Sequence, residues 1–292
     1  MRTLRPAVAL IGLWLMPAVV YGQTEPPVRV TWTPERPVQG TLFRISATTL
    51  ADVAAIHGQI AGEPLHFRAA GPGRREALGA VPLDHGSSVQ VSLEVLRTDG
   101  KIDTTSVRIP VDQGAYSLER LTVAPRFGAP PDSAIQARIA RERERALAVS
   151  RAAHNTPRLW DTVIPPRDSR ITSGFGSGRE FNGRVQSRHT GTDFAGNVGT
   201  PVRAAARGVV ALVDTFYLAG GVIYIDHGEG LVSAYFHLSR QEVAAGDTVA
   251  AGQPIGQVGA TGRVTGPHLH WVVRYGEISV DPLSLLKLKR GD

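Results

Sequence analysis

The sequence predicts a mostly β chain: a small N-terminal antiparallel sandwich of the immunoglobulin-like (Ig-like) kind, a connecting α-helix and a second antiparallel β unit at the C-terminus. Three observations carry this. From Val28 to Val111 the chain alternates apolar and polar residues in short runs such as "VRVTW", "LFRISA", "VQVSLEV" and "SVRIPV", broken by the turn-forming stretches "AAGPGRR", "DHGSS" and "RTDG". Period two bounded by turns is the pattern of half-buried strands. Residues 134–153, "AIQARIARERERALAVSRAA", then contain no Gly or Pro and are rich in Ala, Arg and Glu, which favours helix. From Leu159 onward strand-like runs return, among them "GVVALV", "GVIYIDHG", "LVSAYFHL" and "HLHWVVRYG", separated by glycine turns.

The elements divide the chain into four expected segments. Residues 1–22 read as a signal peptide: Arg2 and Arg5 precede an apolar stretch from Ala7 to Tyr21 that contains Pro17, and a cut is expected before Gln23. The stretch is short for a membrane span; an uncleaved N-terminal anchor is the alternative, and no span is expected once the segment is removed. Residues 23–115 form the sandwich, and 116–158 a helical linker whose start is marked by Pro130-Pro131-Asp132-Ser133. Within the helix Ile135, Ile139, Ala146 and Val149 make a narrow apolar stripe, and five arginines (138, 141, 143, 145 and 151) stand with Glu142 and Glu144 in what reads as a solvated basic face. Residues 159–292 form the last unit. In it "GTPVRAAARGVVALV" and "GDTVAAGQPIGQVG" resemble each other loosely, which fits two related hairpins in a barrel-like sandwich.

Bulk chemistry narrows the function. With 292 residues, 42% of them hydrophobic and 20% charged, the composition is that of a folded globular protein. There is no cysteine, which removes disulfides, thiolate metal sites, cysteine nucleophiles and a lipobox anchor together. The formal charge of +6, two fewer without Arg2 and Arg5, suits weak attraction to an anionic polymer and is too small to argue for a nucleic-acid partner.

The histidines are the chemical signal. Of nine, six follow residue 150, whereas His57, His66 and His85 are scattered without ligand spacing. In "HTGTD", His189 and Asp193 stand four apart, with Gly191 between them to permit a bend. In "GPHLHW", His268 and His270 share one face of a strand, about 6.6 to 6.8 Å apart along its axis. Taken alone, that pair reads as two histidines on a polar strand face. His237 in "AYFHLS", at the end of another alternating run, adds an imidazole for the same face. A hydrolytic zinc ion takes three protein ligands and keeps one position for water, and a His/His/Asp set supplies suitable donors. Two further imidazoles are then available to orient or deprotonate the water and to donate to a developing oxyanion.

The segments "HTGTDFA", "AYFHLS", "VAAGDTVAAGQPIGQVGATGRVTGPHLHW" and "VDPLSLL" stand in the same order as in the lysostaphin-type (LytM-like) zinc metallopeptidases that act on peptidoglycan, and the resemblance runs from about Ile164 to Leu286. The resemblance implies an antiparallel β metallopeptidase domain of barrel-sandwich hybrid-like form. It implies Zn2+ held by His189, Asp193 and His270, and catalysis by His237 and His268, with the proton-taking member of that pair left open. It implies a zinc endopeptidase cutting peptidoglycan stem peptides or cross-bridges, exported to the periplasm or cell exterior. A non-catalytic wall-binding activator of another hydrolase is the alternative, disfavoured because such relatives usually lack a ligand and none is missing here. The stretch from Ser173 to His189 resembles the segment that shapes the family's groove, placing Asn182 and Arg184 as candidate substrate contacts. Phe181 stands where some members have a tyrosine, so help from a hydroxyl there is not expected. His227 matches a position usually filled in the family and is read as structural. The N-terminal sandwich, without candidate chemistry, is expected to position or regulate the catalytic unit.

Overall fold

The structure is a computed structural model that describes residues 28–49, 52–128, 130–183 and 185–288. The expected signal peptide lies outside the described residues, as does Arg184. The described chain is mostly β, and the N-terminal strands form two four-stranded sheets. One runs Val28–Thr33, Leu42–Thr49, Arg74–Ala80, Arg68–Gly71; the other runs Glu63–Leu65, Val53–Ile60, Ser88–Arg97, Ile102–Pro110. Their inner faces follow the alternation in the sequence. In Ser88–Arg97, Val89, Val91, Leu93 and Val95 point inward while Gln90, Ser92 and Glu94 face out. They pack against Phe43, Ile45, Ile60 and Ile109, all essentially without exposure. That apolar burial drives the pairing of the sheets.

The C-terminal unit is one ten-stranded sheet, largely antiparallel. Its main path runs Ile171–Ser173, Thr192–Ala195, His268–Tyr275, Leu231–Gln241, Gly220–Gly228, Gly208–Phe216, Thr248–Val249. Pro201–Arg203 pairs with Pro254–Val258, which also pairs with Leu231–Gln241, and Ile278–Val280 flanks His268–Tyr275. Among the described residues no closed barrel forms. One face buries Trp271, Tyr235, Ile223, Ile225 and Val273. The opposite face is covered at one end by the helix Ser133–Ala152, whose Ala146 packs with Tyr224, Val232, Ala234 and Val272.

That helix begins where the sequence places it. The side chain of Asp132 accepts from the Ile135 N–H at 2.8 Å, satisfying a donor the first turn leaves open. Of the expected stripe, Ala146 is buried, together with Ser150. The arginines sit outside and find acids: Arg138 pairs with Glu142 at 2.6 Å, Arg145 with Asp214, and Arg151 with Glu144 and, at 2.5 Å, Glu277. Exposed pairs of this kind add little stability, and they account for much of the helix's positive charge without a polyanion.

Ahead of the helix, Leu118–Leu121 forms a strand that runs parallel to Gly178–Phe181 and makes a three-stranded sheet with Val185–Arg188. The connection between the two β units therefore contributes backbone to the C-terminal one. The two units also share a seam. Leu42 and Ala80 of the sandwich pack in the C-terminal core, the Leu42 N–H donates to Ser284 Oγ at 3.0 Å, and Tyr275 donates its hydroxyl to Pro64 O at 2.6 Å.

A histidine pair closes this seam. His66 Nε2 meets His154 Nδ1 at 2.8 Å, and His154 Nε2 meets Glu63 Oε2 at 3.0 Å, with Tyr275 against the His154 ring and Glu277 donating its N–H to Glu63. Burial, with the neighbouring His154 second, holds His66 below its ordinary value of 6.5. The unfolded chain then binds a proton at His66 more readily than the folded one, so this contribution to stability is complete above pH 6.5 and is lost as the pH falls below it. Thermal unfolding at pH 7.5 and 5.5 should show a smaller acid-induced drop for His66→Gln than for the wild type. An identical drop in both would show that the pair does not sense protons.

Candidate metal centre

The centre rests on strand register. Thr192–Ala195 pairs antiparallel with His268–Tyr275 so that Asp193 stands directly across from His270 and Ala195 from His268. Paired residues project from the same face, as do residues two apart on one strand. Asp193, His268 and His270 therefore share a face, and Trp271, across from Thr192, turns into the core. His189 arrives from the chain just before the Thr192–Ala195 strand. Its Nε2 lies 3.0 Å from Asp193 Oδ1 and 2.9 Å from His270 Nδ1, while Asp193 Oδ1 lies 2.7 Å from His270 Nδ1.

These three atoms fit a cation better than they fit one another. The Nδ1 of His189 is 2.6 Å from the carbonyl oxygen of Gly174, an acceptor only, so the ring's proton sits on Nδ1 and Nε2 presents a lone pair. Asp193 Oδ1 is a second lone-pair atom, and one proton on His270 Nδ1 is the most the trio can hold. All three residues are buried. Two imidazole nitrogens and one carboxylate oxygen converging in this way make a donor set for a metal ion, and zinc accepts all three. Gly191 is required by close approach: a Cβ there would meet the carbonyl oxygen of Trp271 and come within 2.8 Å of His270 Cε1 and 2.9 Å of Nε2.

Protonation agrees with a ligand role. Burial raises the Asp193 carboxyl, but its close contacts with His189 and His270 outweigh it and leave the group well below the ordinary carboxylate range. Burial brings His270 down to about 4 against the pull of Asp193. Ionised Asp and neutral His are the forms that bind metals.

His237 reaches this face by a backbone device. Phe236, not His237, is the register partner of His270, and strict alternation would send His237 to the other side. Its φ of +63° lies in the left-handed region, which costs a non-glycine residue about 1–3 kcal/mol and recurs at functional sites. The turn brings its ring centroid to 4.9 Å from that of His268 and 5.8 Å from that of His270. His237 Nδ1 meets Thr261 O at 2.8 Å and His268 Nδ1 meets Gly266 O at 2.8 Å, so in both rings the proton is held by a carbonyl and Nε2 is the free nitrogen. His268 Nε2 stands 3.7 Å from Asp193 Oδ1. Burial, then the neighbouring His268 and His270, holds His237 well below its ordinary value.

A polar network behind the trio was not evident in the sequence. Arg179 donates from Nη2 to Asp193 Oδ2 at 2.7 Å and to Ser173 Oγ at 2.9 Å, and from Nε to Glu119 Oε2 at 3.0 Å. Ser173 donates to Glu119 Oε1 at 2.6 Å. Asp193 thus turns one oxygen to the histidines and the other to Arg179, an arrangement that fixes a carboxylate in single-oxygen geometry. Glu119 is the register partner of Arg179 in the parallel ladder from the linker. The only local signal would have been a charged residue alternating with Phe181 on a strand.

The remaining candidates lie elsewhere. Asn182 uses its amide at both ends on the backbone of Val123, accepting at 2.9 Å and donating at 3.0 Å, so it ties the hairpin to the linker. His227 is fully enclosed, bonded to Arg207 O at 2.9 Å and Ser233 Oγ at 2.7 Å, and burial brings it down to about 4. A cavity of about 620 Å³ between the two β units, lined by Arg44, His66, Arg158 and Trp160 among others, shares no residue with the histidine cluster.

Residues 187–282, which hold the whole trio together with His237 and His268, match peptidase family M23. The match places this segment, about a third of the chain, in peptidase family M23. The resemblance to lysostaphin-type peptidases is thereby borne out. Within M23, the chain is 40% identical over 115 residues to the peptidoglycan DD-endopeptidase ShyC of Vibrio cholerae, a match covering 39% of this chain and 26% of that protein. It is 41% identical over 117 residues to the DD-carboxypeptidase/endopeptidase Mpg of Neisseria meningitidis, covering 40% and 27%. The chain thus matches about a quarter of the length of these curated relatives. A crystal structure of a putative M23 peptidase from Pseudomonas aeruginosa is 29% identical, covers 86% of this chain and 95% of its own, and superposes with a TM-score of 0.65. That likeness extends beyond the M23 segment into the sandwich and linker.

The network makes a stability prediction. Arg179→Met leaves the Asp193 and Glu119 carboxylates without their cation and should cost about 3–5 kcal/mol in chemical unfolding of the metal-free protein. The double variant Arg179→Met/Glu119→Gln should recover part of that loss. Equal stability of Arg179→Met and wild type would mean the network carries no weight.

Proposed function

We propose that the protein is a zinc-dependent endopeptidase that hydrolyses peptide bonds in peptidoglycan. The observation that supports this most is the convergence of three lone-pair atoms, from His189, Asp193 and His270, with two more imidazoles on the same face whose Nε2 atoms are free. His189 Nε2, Asp193 Oδ1 and His270 Nδ1 would hold the metal. Bound there, zinc supplies Lewis acidity: it polarises a carbonyl and lowers the pKa of water toward neutrality. The protein's own part is positional and protonic. Thr261 O and Gly266 O hold the Nδ1 protons of His237 and His268, keeping each Nε2 ready to accept a proton from the attacking water. Once protonated, the same Nε2 can donate to the oxyanion that forms at the attacked amide. Burial, which favours neutral His237, keeps that nitrogen a base near neutral pH.

The substrate reading leans on the relatives. ShyC is named for DD-endopeptidase activity and Mpg for DD-carboxypeptidase and endopeptidase activity, which supports a bond between two D-amino acids here. Such a substrate lies outside the cytoplasm, consistent with the export signal read in residues 1–22. No helix among the described residues is long and apolar enough to cross a membrane.

Zinc content and peptide release from purified sacculi test the proposal. The wild type should hold one zinc and release peptides, and chelation should stop release until zinc is restored. His237→Ala should keep the metal and lose at least about a hundredfold in turnover, the scale of general acid-base catalysis. His270→Ala and Gly191→Ala should lose the metal as well, the latter by pushing aside the His270 ring. A zinc-loaded wild type that releases nothing, or a His237→Ala variant as active as the wild type, would end the hydrolase reading.

A further inference from the structure

The loop that carries both carbonyl anchors of the free imidazoles also carries an arginine with no acidic partner among the described residues. Arg263 stands between Thr261, which holds His237, and Gly266, which holds His268. Its backbone N–H donates to Leu218 O at 2.8 Å, so the loop is fastened at this residue. Its guanidinium carbon lies 4.0 Å from the centre of the Phe181 ring. Phe181 is buried against Val123 and Phe127, which makes it a rigid platform. The stacking is favourable, and among the described residues the guanidinium donors have no hydrogen-bond partner.

The charge around Arg263 is uncompensated. No acidic side chain pairs with it among the described residues, and nearby acids are engaged elsewhere: Glu180 with Arg120, and Glu119 and Asp193 with Arg179. Its charged neighbour is Arg179, of the same sign. Burial first, and Arg179 second, bring Arg263 down to about 10, still fully charged at neutral pH. A half-buried cation that cannot shed its proton is costly unless an anion meets it. The side chain is only partly buried, so it keeps some contact with solvent.

The strand Gly178–Phe181 ties Arg263 to the metal centre. Arg179, which touches Asp193, and Phe181, which carries Arg263, are two residues apart on Gly178–Phe181. An extended wall peptide offers free carboxylates as its anions, and guanidinium binds a carboxylate through two parallel hydrogen bonds. Resting on the endopeptidase reading above, we propose that Arg263 is a specificity residue that binds a free carboxylate of the peptide substrate close to the bond that is cut.

Two synthetic peptidoglycan peptides, identical except that this carboxylate is free in one and a primary amide in the other, test the assignment. For zinc-loaded wild type, Arg263→Gln and Arg263→Lys, the acid-to-amide preference is read twice, as a ratio of kcat/KM and as a ratio of affinities from fluorescence anisotropy. The wild type should prefer the acid by about tenfold or more, the size of a charge-assisted pair. Arg263→Gln should bring both ratios near one, and Arg263→Lys should lie between. A wild-type ratio near one overturns the assignment, and so does a ratio that survives in Arg263→Gln even as both peptides are handled worse, because a merely structural arginine would affect them equally. If the wild type cuts neither peptide, the hydrolase reading fails by itself, and the affinity ratio still decides what Arg263 binds.

Discussion

The centre depends on one register: Asp193 directly across from His270 in the antiparallel pair Thr192–Ala195 and His268–Tyr275. A slip of one residue would exchange each of these side chains with a core residue, putting Trp271 on the polar face and an ionised carboxylate in the apolar core. The register is held from behind, where Trp271, Leu269 and Val273 fill the interior against Tyr235 and Phe194. Apolar burial on one face therefore positions chemistry on the other. Tyr235 continues this arrangement, since its buried hydroxyl accepts from the Ala205 N–H at 2.7 Å and from Ser233 at 2.9 Å.

The carboxylate at that register is held by more than its own sheet. Arg179 offsets the burial of Asp193, and Glu119 in turn holds Arg179, so the charges alternate from the linker to the trio. Buried ions are tolerated only when paired and hydrogen-bonded in this way. Glu119 is carried by a strand outside the M23 segment, so the polypeptide between the two β units is part of the support of the centre. Tyr116 continues the same connection by donating its hydroxyl to Gln39 O and packing edge-on against Phe175. The sandwich, the linker and the catalytic sheet are thus joined through polar contacts that begin close to the site.

Two of the histidines illustrate how backbone and side chain divide the labour. His270 needs nothing unusual: a regular strand delivers it. His237 needs a left-handed residue at a strand irregularity, stabilised where its own N–H donates to Ala219 O at 2.8 Å and its Nδ1 meets Thr261 O. The strain is local, and the surrounding ladder compensates it.

How much of this was legible in the sequence differs by residue. Alternation within single strands was enough to read the β units and the common face of His268 and His270, because strand period is a local property of the chain. Asp132 as the helix cap was legible for the same reason. His189 and Asp193 could be singled out by type and spacing and by resemblance, but their meeting with His270 required a pairing across about eighty positions. Arg179 and Glu119 left no mark, because neither their parallel pairing nor the burial that makes the pair consequential is encoded near either residue. Asn182 looked like a groove residue, and only the fold shows its amide spent on Val123. By itself the sequence determined which side chains share a strand face and which chemistry they are suited to. Tertiary structure decided which faces meet, which charges are left without partners and how His237 is turned toward the others, since these depend on contacts between segments that local periodicity does not constrain.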